Sequence, residues 1–182
     1  MKILVILNNG FEELEATGSI VIFHRAGYEV TLAGDTPTVI SKNKMTYANL
    51  TPLKDLNYLD YDLLFLPGGG YTPSEETNNA INVFAKNNKY LAAICSGPTY
   101  LGKLGYLKGK NYVCFPNLNE DFGGHFKDTY VVYDKPIFTA RSVASNMLLP
   151  LKIVLELSGL DHLKALLKQM KFIDDKIIRL LK

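Results

Sequence analysis

The amino-acid sequence predicts an α/β fold, a three-layer sandwich with a mostly parallel sheet and helices on both faces. Three observations carry that expectation. Short, continuous apolar runs at Ile3–Leu7, Leu63–Leu66 and Tyr90–Ile94 have the length and composition of strands buried on both faces. Stretches of helical pattern alternate with them. Each run also stops on residues unsuited to a strand: Asn8-Asn9-Gly10, Pro67-Gly68-Gly69-Gly70 and Cys95-Ser96-Gly97-Pro98. Parallel sheets bind ligands beyond the carboxyl ends of their strands, so these three segments mark the candidate site.

The elements follow in order. After the first strand, a helix is expected from about Glu12 to Arg25, ended by the glycine stop Ala26-Gly27. Tyr28–Ala33 reads as a second strand, and residues 35–60 as a long excursion with short strands. The Leu63–Leu66 strand leads to a helix over roughly Ser74–Asn87. Tyr90–Ile94 leads to Cys95 and then to a helix that starts near Pro98 and stops by Gly105. Residues 111–115 and 129–139 read as strands. Val143–Leu157 reads as an apolar helix that Pro150 kinks or truly begins. In Leu160–Leu181, the residues Leu163, Leu166, Leu167, Met170, Ile173, Ile177 and Leu181 recur at helical spacing, predicting a helical extension over 160–182.

The chain of 182 residues suits one domain, with 47% hydrophobic residues and a net charge of +2. That charge is too small, and its lysines too dispersed, for a nucleic-acid groove. No apolar run approaches the ~18 residues of a membrane span. Lys2 leads directly into the first strand, and Glu12, Glu13 and Glu15 stand where a leader would carry a cleavage site. With nothing secreted about them, Cys95 and Cys114 are expected as reduced thiols in a cytoplasmic protein. Cys95, Cys114 and His125 have no familiar metal-ligand spacing, and neither a metal nor a cofactor is expected.

Cys95 sits between a buried strand and a helix that opens on Gly97-Pro98, an arrangement analogous to a nucleophile elbow. Helix N-terminal N–H groups should stabilise a thiolate there and make the thiol more acidic. The alternative is a structural cysteine packed as a small hydrophobe.

The segments Leu4–Glu15 (LVILNNGFEELE), Arg25-Ala26-Gly27, Leu66–Gly69 (LPGG), Ala92–Pro98 (AAICSGP), Gly123-Gly124-His125 and Thr139-Ala140-Arg141 resemble the ThiJ/PfpI (DJ-1) superfamily, most closely its DJ-1 branch. The resemblance runs from residue 3 to about 159 and implies a flavodoxin-like sandwich. It implies Cys95 as nucleophile, Glu15 as the acid opposite it, and His125 as a nearby acid or base. Gly69 and Ser96 match an oxyanion-type pocket, and Arg141 is a basic neighbour. A thiolate beside an ionised carboxylate is a like-charge pair, so Glu15 and Cys95 should retain one proton between them.

The sequence also departs from the family. Val21 stands where a carboxylate commonly orients the histidine, an arginine of the excursion is replaced near Asn43, and Ser96 replaces the histidine that follows the cysteine in the protease branch. The resemblance implies a cofactor-independent glyoxalase-type enzyme converting small carbonyls such as methylglyoxal to hydroxy acids, and a homodimer. The alternative is a cysteine redox sensor of oxidative stress, with deglycase and peptidase roles ranked lower. An amidotransferase is disfavoured, because Ala93 replaces its glycine and no late His-x-Glu follows His125.

Overall fold

The three apolar runs become the middle of a seven-stranded sheet. The computed structural model describes residues 1–174 and 176–181. The elements that build the sheet and its covers are β1 (Lys2–Ile6), α1 (Glu13–Arg25), β2 (Glu29–Gly34), β3 (Thr38–Ile40), β4 (Thr46–Ala48), β5 (Thr51–Pro52), β6 (Leu63–Leu66) and α2 (Glu75–Lys86). They continue with β7 (Tyr90–Ile94), α3 (Gly97–Lys103), β8 (Asn111–Tyr112), β9 (His125–Phe126), β10 (Val131–Asp134), β11 (Ile137–Ala140), α4 (Leu148–Ser158) and α5 (Leu160–Gln169). The sheet order is β10-β11-β7-β6-β1-β2-β5. Every pairing is parallel except β10 with β11. The stretch 129–139, which reads as a strand in the sequence, is therefore two antiparallel strands turned at Lys135-Pro136.

Alternation along the strands divides the core into two layers. Ile3, Val5, Leu63, Phe65, Ala92, Ile94 and Phe138 face α1, α4 and α5, and pack on Phe23, Leu149, Ile153 and Leu166. Leu4, Ile6, Leu64, Leu66, Leu91 and Ala93 face the opposite way, onto Ile81 and Phe84 of α2 and Leu101 of α3. This is the expected three-layer sandwich. Strands covered on both faces bury every residue, which is why Leu63–Leu66 shows no polar alternation.

Local signals set the helix limits. Ser74 caps α2 by accepting the Thr77 N–H at 3.1 Å. Gly27, at φ 77°, follows the end of α1. Pro150 lies in the first turn of α4, where its missing N–H removes no helical bond. The C-terminal extension is not one helix. Helix α5 ends at Gln169, Lys171 takes φ 63°, and a short 3-10 turn follows over Lys176–Leu180. Leu163, Leu166 and Leu167 are buried as the periodicity predicts, whereas Ile173 is fully exposed beyond the break. Asp175 and Lys182 of the extension lie outside the described residues. Among the described residues no helix is long and apolar enough to cross a membrane, and no group of three metal-binding side chains occurs.

Candidate active site

Strand β7 ends at Ile94 and α3 begins at Gly97, leaving Cys95 and Ser96 to turn the chain. Cys95 takes φ 63°, a left-handed conformation that costs ~1–2 kcal/mol for a residue with a β-carbon. Neighbouring backbone holds it there. Its N–H donates to the Ala140 carbonyl at 2.9 Å, and its carbonyl accepts the Phe115 N–H at 2.8 Å. Strain maintained in this way at a half-buried thiol is the geometry of an elbow that presents a side chain to a site.

Helix α1 supplies the partner. Glu15 is fully buried, and its Oε2 accepts the Gly68 N–H at 2.9 Å. Its Oε1 has no hydrogen-bond partner within ordinary range among the described residues, and the polar side chain beside the carboxyl is Cys95. Gly68 is what permits the approach. A β-carbon there would stand 2.6 Å from the Cys95 Cβ and 2.8 Å from Glu15 Oε2, so any larger residue would push the pair apart. The Glu12 N–H donates to the Gly68 carbonyl at 2.8 Å, fastening the same peptide to the start of α1.

Burial pushes the Glu15 carboxyl up to about 7, against the lowering effect of the Gly68 N–H and of the Cys95 thiol beside it. Burial also pushes the Cys95 thiol up, and the adjacent Glu15 carboxylate adds to the effect, taking it to about 12. With both groups raised, the pair retains at least one proton between its members across the neutral range. The acidic thiol expected from the helix start is overturned. That start directs the Ser96 N–H at the sulfur, and burial with the adjacent carboxylate outweighs it.

Gly69 and Ser96 are both in place, but they are occupied with each other. The Gly69 N–H donates to Ser96 Oγ at 3.0 Å, and the hydroxyl donates back to the Gly69 carbonyl at 3.1 Å. An oxyanion there would have to displace the Ser96 hydroxyl. His125 lies on β9 with its N–H donating to the Lys110 carbonyl at 2.7 Å. It is exposed, and among the described residues no hydrogen bond joins its ring to Cys95 or Glu15. Val21 is 44% exposed on α1. Arg141 directly follows Ala140, whose carbonyl holds the Cys95 N–H, yet its guanidinium is paired with Asp128.

Three residues at the site escape the sequence reading, and Gly68, named there only as part of its glycine segment, has the closest approach to the pair. Lys42, one residue before Asn43, places its charge on both Cys95 and Glu15 while pairing with Glu12 at 3.4 Å. Tyr100 and Tyr71 complete the wall. The Tyr100 hydroxyl lies 3.2 Å from Ser96 Oγ and donates to the Tyr71 carbonyl at 2.9 Å, and the Tyr71 hydroxyl donates to the Pro67 carbonyl at 2.8 Å. Tyr100 was within reach of sequence, being four residues after Ser96 on a helix. Lys42 and Tyr71 carried no local signal.

Comparison with known proteins bears on the family and the fold. The sequence profile described as the DJ-1/PfpI family matches residues 1–156. DJ-1alpha of Drosophila melanogaster is 30% identical over 178 residues, which cover 92% of this chain and 82% of that protein. YraA of Bacillus subtilis, named as a candidate cysteine protease, is 29% identical over 153 residues, 78% of this chain and 89% of that one. The crystal structure of Drosophila melanogaster DJ-1beta superposes with a TM-score of 0.84 at 28% identity, covering 93% of this chain and 96% of that one.

Proposed function

The chain belongs to the DJ-1/PfpI family, and from that premise we propose that it is a cofactor-independent, cysteine-dependent enzyme converting small 2-oxoaldehydes to hydroxy acids. The observation that carries the reading is the contact of Cys95, on its strained turn, with a buried carboxyl that titrates near neutrality. A group with that affinity for protons suits acid–base work at neutral pH.

In the proposed reaction, ionised Glu15 takes the Cys95 proton as Sγ adds to the aldehyde carbon, and returns it to the carbonyl oxygen to give a hemithioacetal. Glu15 then removes the hydrogen of that carbon as a proton while the ketone oxygen takes up a proton, giving an enediol; a proton then returns to the former ketone carbon as the hemithioacetal hydroxyl gives up its own. The aldehyde carbon is thereby oxidised to a thioester and the ketone reduced to an alcohol, within one molecule. Water cleaves the thioester and frees the thiol. The reading uses no outside oxidant or reductant. His125 is not assigned a step, because nothing joins it to the reacting pair.

The test is methylglyoxal consumption with lactate detection in wild type, Cys95→Ser and Glu15→Gln. Turnover that disappears in Cys95→Ser supports the reading, and turnover retained in that variant defeats it. A redox-sensor reading is favoured by one observation, the unpartnered Glu15 Oε1. Protonated, it would donate to a sulfinate on Cys95. Selective addition of two oxygens at Cys95 under mild peroxide, seen by intact mass in a protein without turnover, would establish it instead.

We extend the proposal to a homodimer. Leu14 and Val21 of α1 and Val143 and Met147 before α4 are exposed apolar side chains on adjoining elements. Sedimentation equilibrium giving a monomer at micromolar concentration would rule the dimer out.

A further inference from the structure

Lys42, whose charge reaches Cys95, lines a basic cleft that the reaction above does not use. Its volume is about 570 Å³, and Asn9, Gly10, Ser41, Lys42, Lys44 and Gly70 line it. The Gly70 N–H donates to the Gly10 carbonyl at 3.0 Å across it. Gly69, the next residue back, is the one bonded to Ser96. The cleft therefore opens against the backbone that supports the thiol. Two cations line it and no carboxylate does.

The backbone that carries those cations is held in place by its hairpin. Its turn is closed by Ser41 N–H donating to the Met45 carbonyl at 2.9 Å and by Lys44 N–H donating to the Ser41 carbonyl at 3.1 Å. The turn is tight enough to hold Lys44 at φ 68°. Further bonds dock it onto the first site segment. The Lys42 N–H donates to the Phe11 carbonyl at 2.8 Å, the Gly10 N–H to the Ile40 carbonyl at 2.8 Å, and the Ile40 N–H to Asn9 Oδ1 at 2.8 Å. The Asn43 N–H reaches the buried Glu13 carboxylate at 3.4 Å.

Lys42 has a partner in Glu12 at 3.4 Å, but its side chain is 61% exposed, and an ammonium group carries three donors, so it can accept a second anion beside the first. Lys44 makes no ion pair among the described residues. Methylglyoxal carries no charge and would leave both ammonium groups to water.

We propose that this cleft is an anion subsite, with Lys42 and Lys44 selecting 2-oxoaldehydes that carry a carboxylate beyond the ketone. The inference rests on the carbonyl chemistry proposed for Cys95 and names its substrate class. With 4,5-dioxopentanoate as the probe, Sγ adds to the aldehyde and the same internal transfer oxidises that carbon and reduces the ketone. Addition of water then releases 2-hydroxyglutarate.

The experiment compares kcat/KM for 4,5-dioxopentanoate with kcat/KM for methylglyoxal in wild type, Lys44→Gln, Lys44→Glu and the double variant Lys42→Gln/Lys44→Gln. The ratio is the readout, because any effect on the thiol is common to both substrates and cancels. The expected ratio falls about tenfold in the double variant, falls further in Lys44→Glu than in Lys44→Gln, and falls with added salt in wild type. A ratio unchanged by the substitutions and by salt overturns the subsite. If neither substrate is turned over, the carbonyl reading fails separately, and the subsite is judged by alkylation of Cys95. Protection by 2-hydroxyglutarate in wild type but not in the double variant upholds it, and equal or absent protection overturns it.

Discussion

Replacing Glu15 by glutamine tests the buried carboxyl directly through the pH dependence of stability. In the folded chain Glu15 keeps its proton up to about 7, whereas the ordinary value is 4.5. Between those limits the folded state binds more protons than the unfolded state, so raising the pH favours unfolding. Stability that is fully present below 4.5 is lost as the pH climbs to about 7. The interval corresponds to about 3 kcal/mol, a sizeable part of the ~5–15 kcal/mol that holds a domain folded. Glutamine carries no charge at any pH, and its side-chain oxygen can still accept the Gly68 N–H. Urea unfolding followed by circular dichroism should therefore give matching stabilities, within ~1 kcal/mol, when both proteins are acidified below 4.5. Above neutrality Glu15→Gln should be the more stable by about 2–3 kcal/mol. Other titrating groups are common to the two proteins and cancel in the difference. A difference that does not change between acid and alkaline pH would refute the placement of a buried, proton-binding carboxyl at this site.

The same pair sets the titration of the thiol. In a Cys114→Ser background, thiolate absorbance should appear at lower pH in Glu15→Gln than with Glu15 present, because the carboxylate that repels the thiolate is gone; an unchanged titration would contradict the coupling. Gly68→Ala forces a β-carbon to within 2.6 Å of the Cys95 Cβ, and should cost ~1–3 kcal/mol of stability along with most turnover; a variant as active and as stable as wild type would show that the approach is slack. His125→Asn should keep kcat within a factor of about 10, since a working acid or base contributes ~10²–10⁴; a larger loss in the rate assay would restore the histidine to the mechanism. Phe65→Ala, at a fully buried position in the central strand, should lower unfolding free energy by ~3–5 kcal/mol, read from the urea midpoint.

Local signals were legible wherever one segment carried the whole cause. The Leu63–Leu66 run and the Gly27 stop each express a preference of the chain that holds in any compact setting. The C-terminal periodicity was legible only as far as α5. Beyond Gln169 the register of leucines continues, but the backbone turns at Lys171, and nothing local in Leu160–Leu181 announced it.

The amino-acid order by itself determined the sandwich, the parallel centre of its sheet, and a cysteine at the strand end with an acidic helix start to face it. Tertiary structure decided what that cysteine is chemically. Helix-start N–H groups are a local property and argued for an acidic thiol. Desolvation and the charge of Glu15 arise only when residues 15, 68 and 95 meet, and they reverse the sign. The hairpin that brings Lys42 and Lys44 to the same place is likewise a matter of docking, made by bonds from Asn9, Gly10, Phe11 and Glu13 some 30 residues away in the chain. Electrostatic effects depend on distance and burial in space, and neither is written in the spacing of residues along the chain.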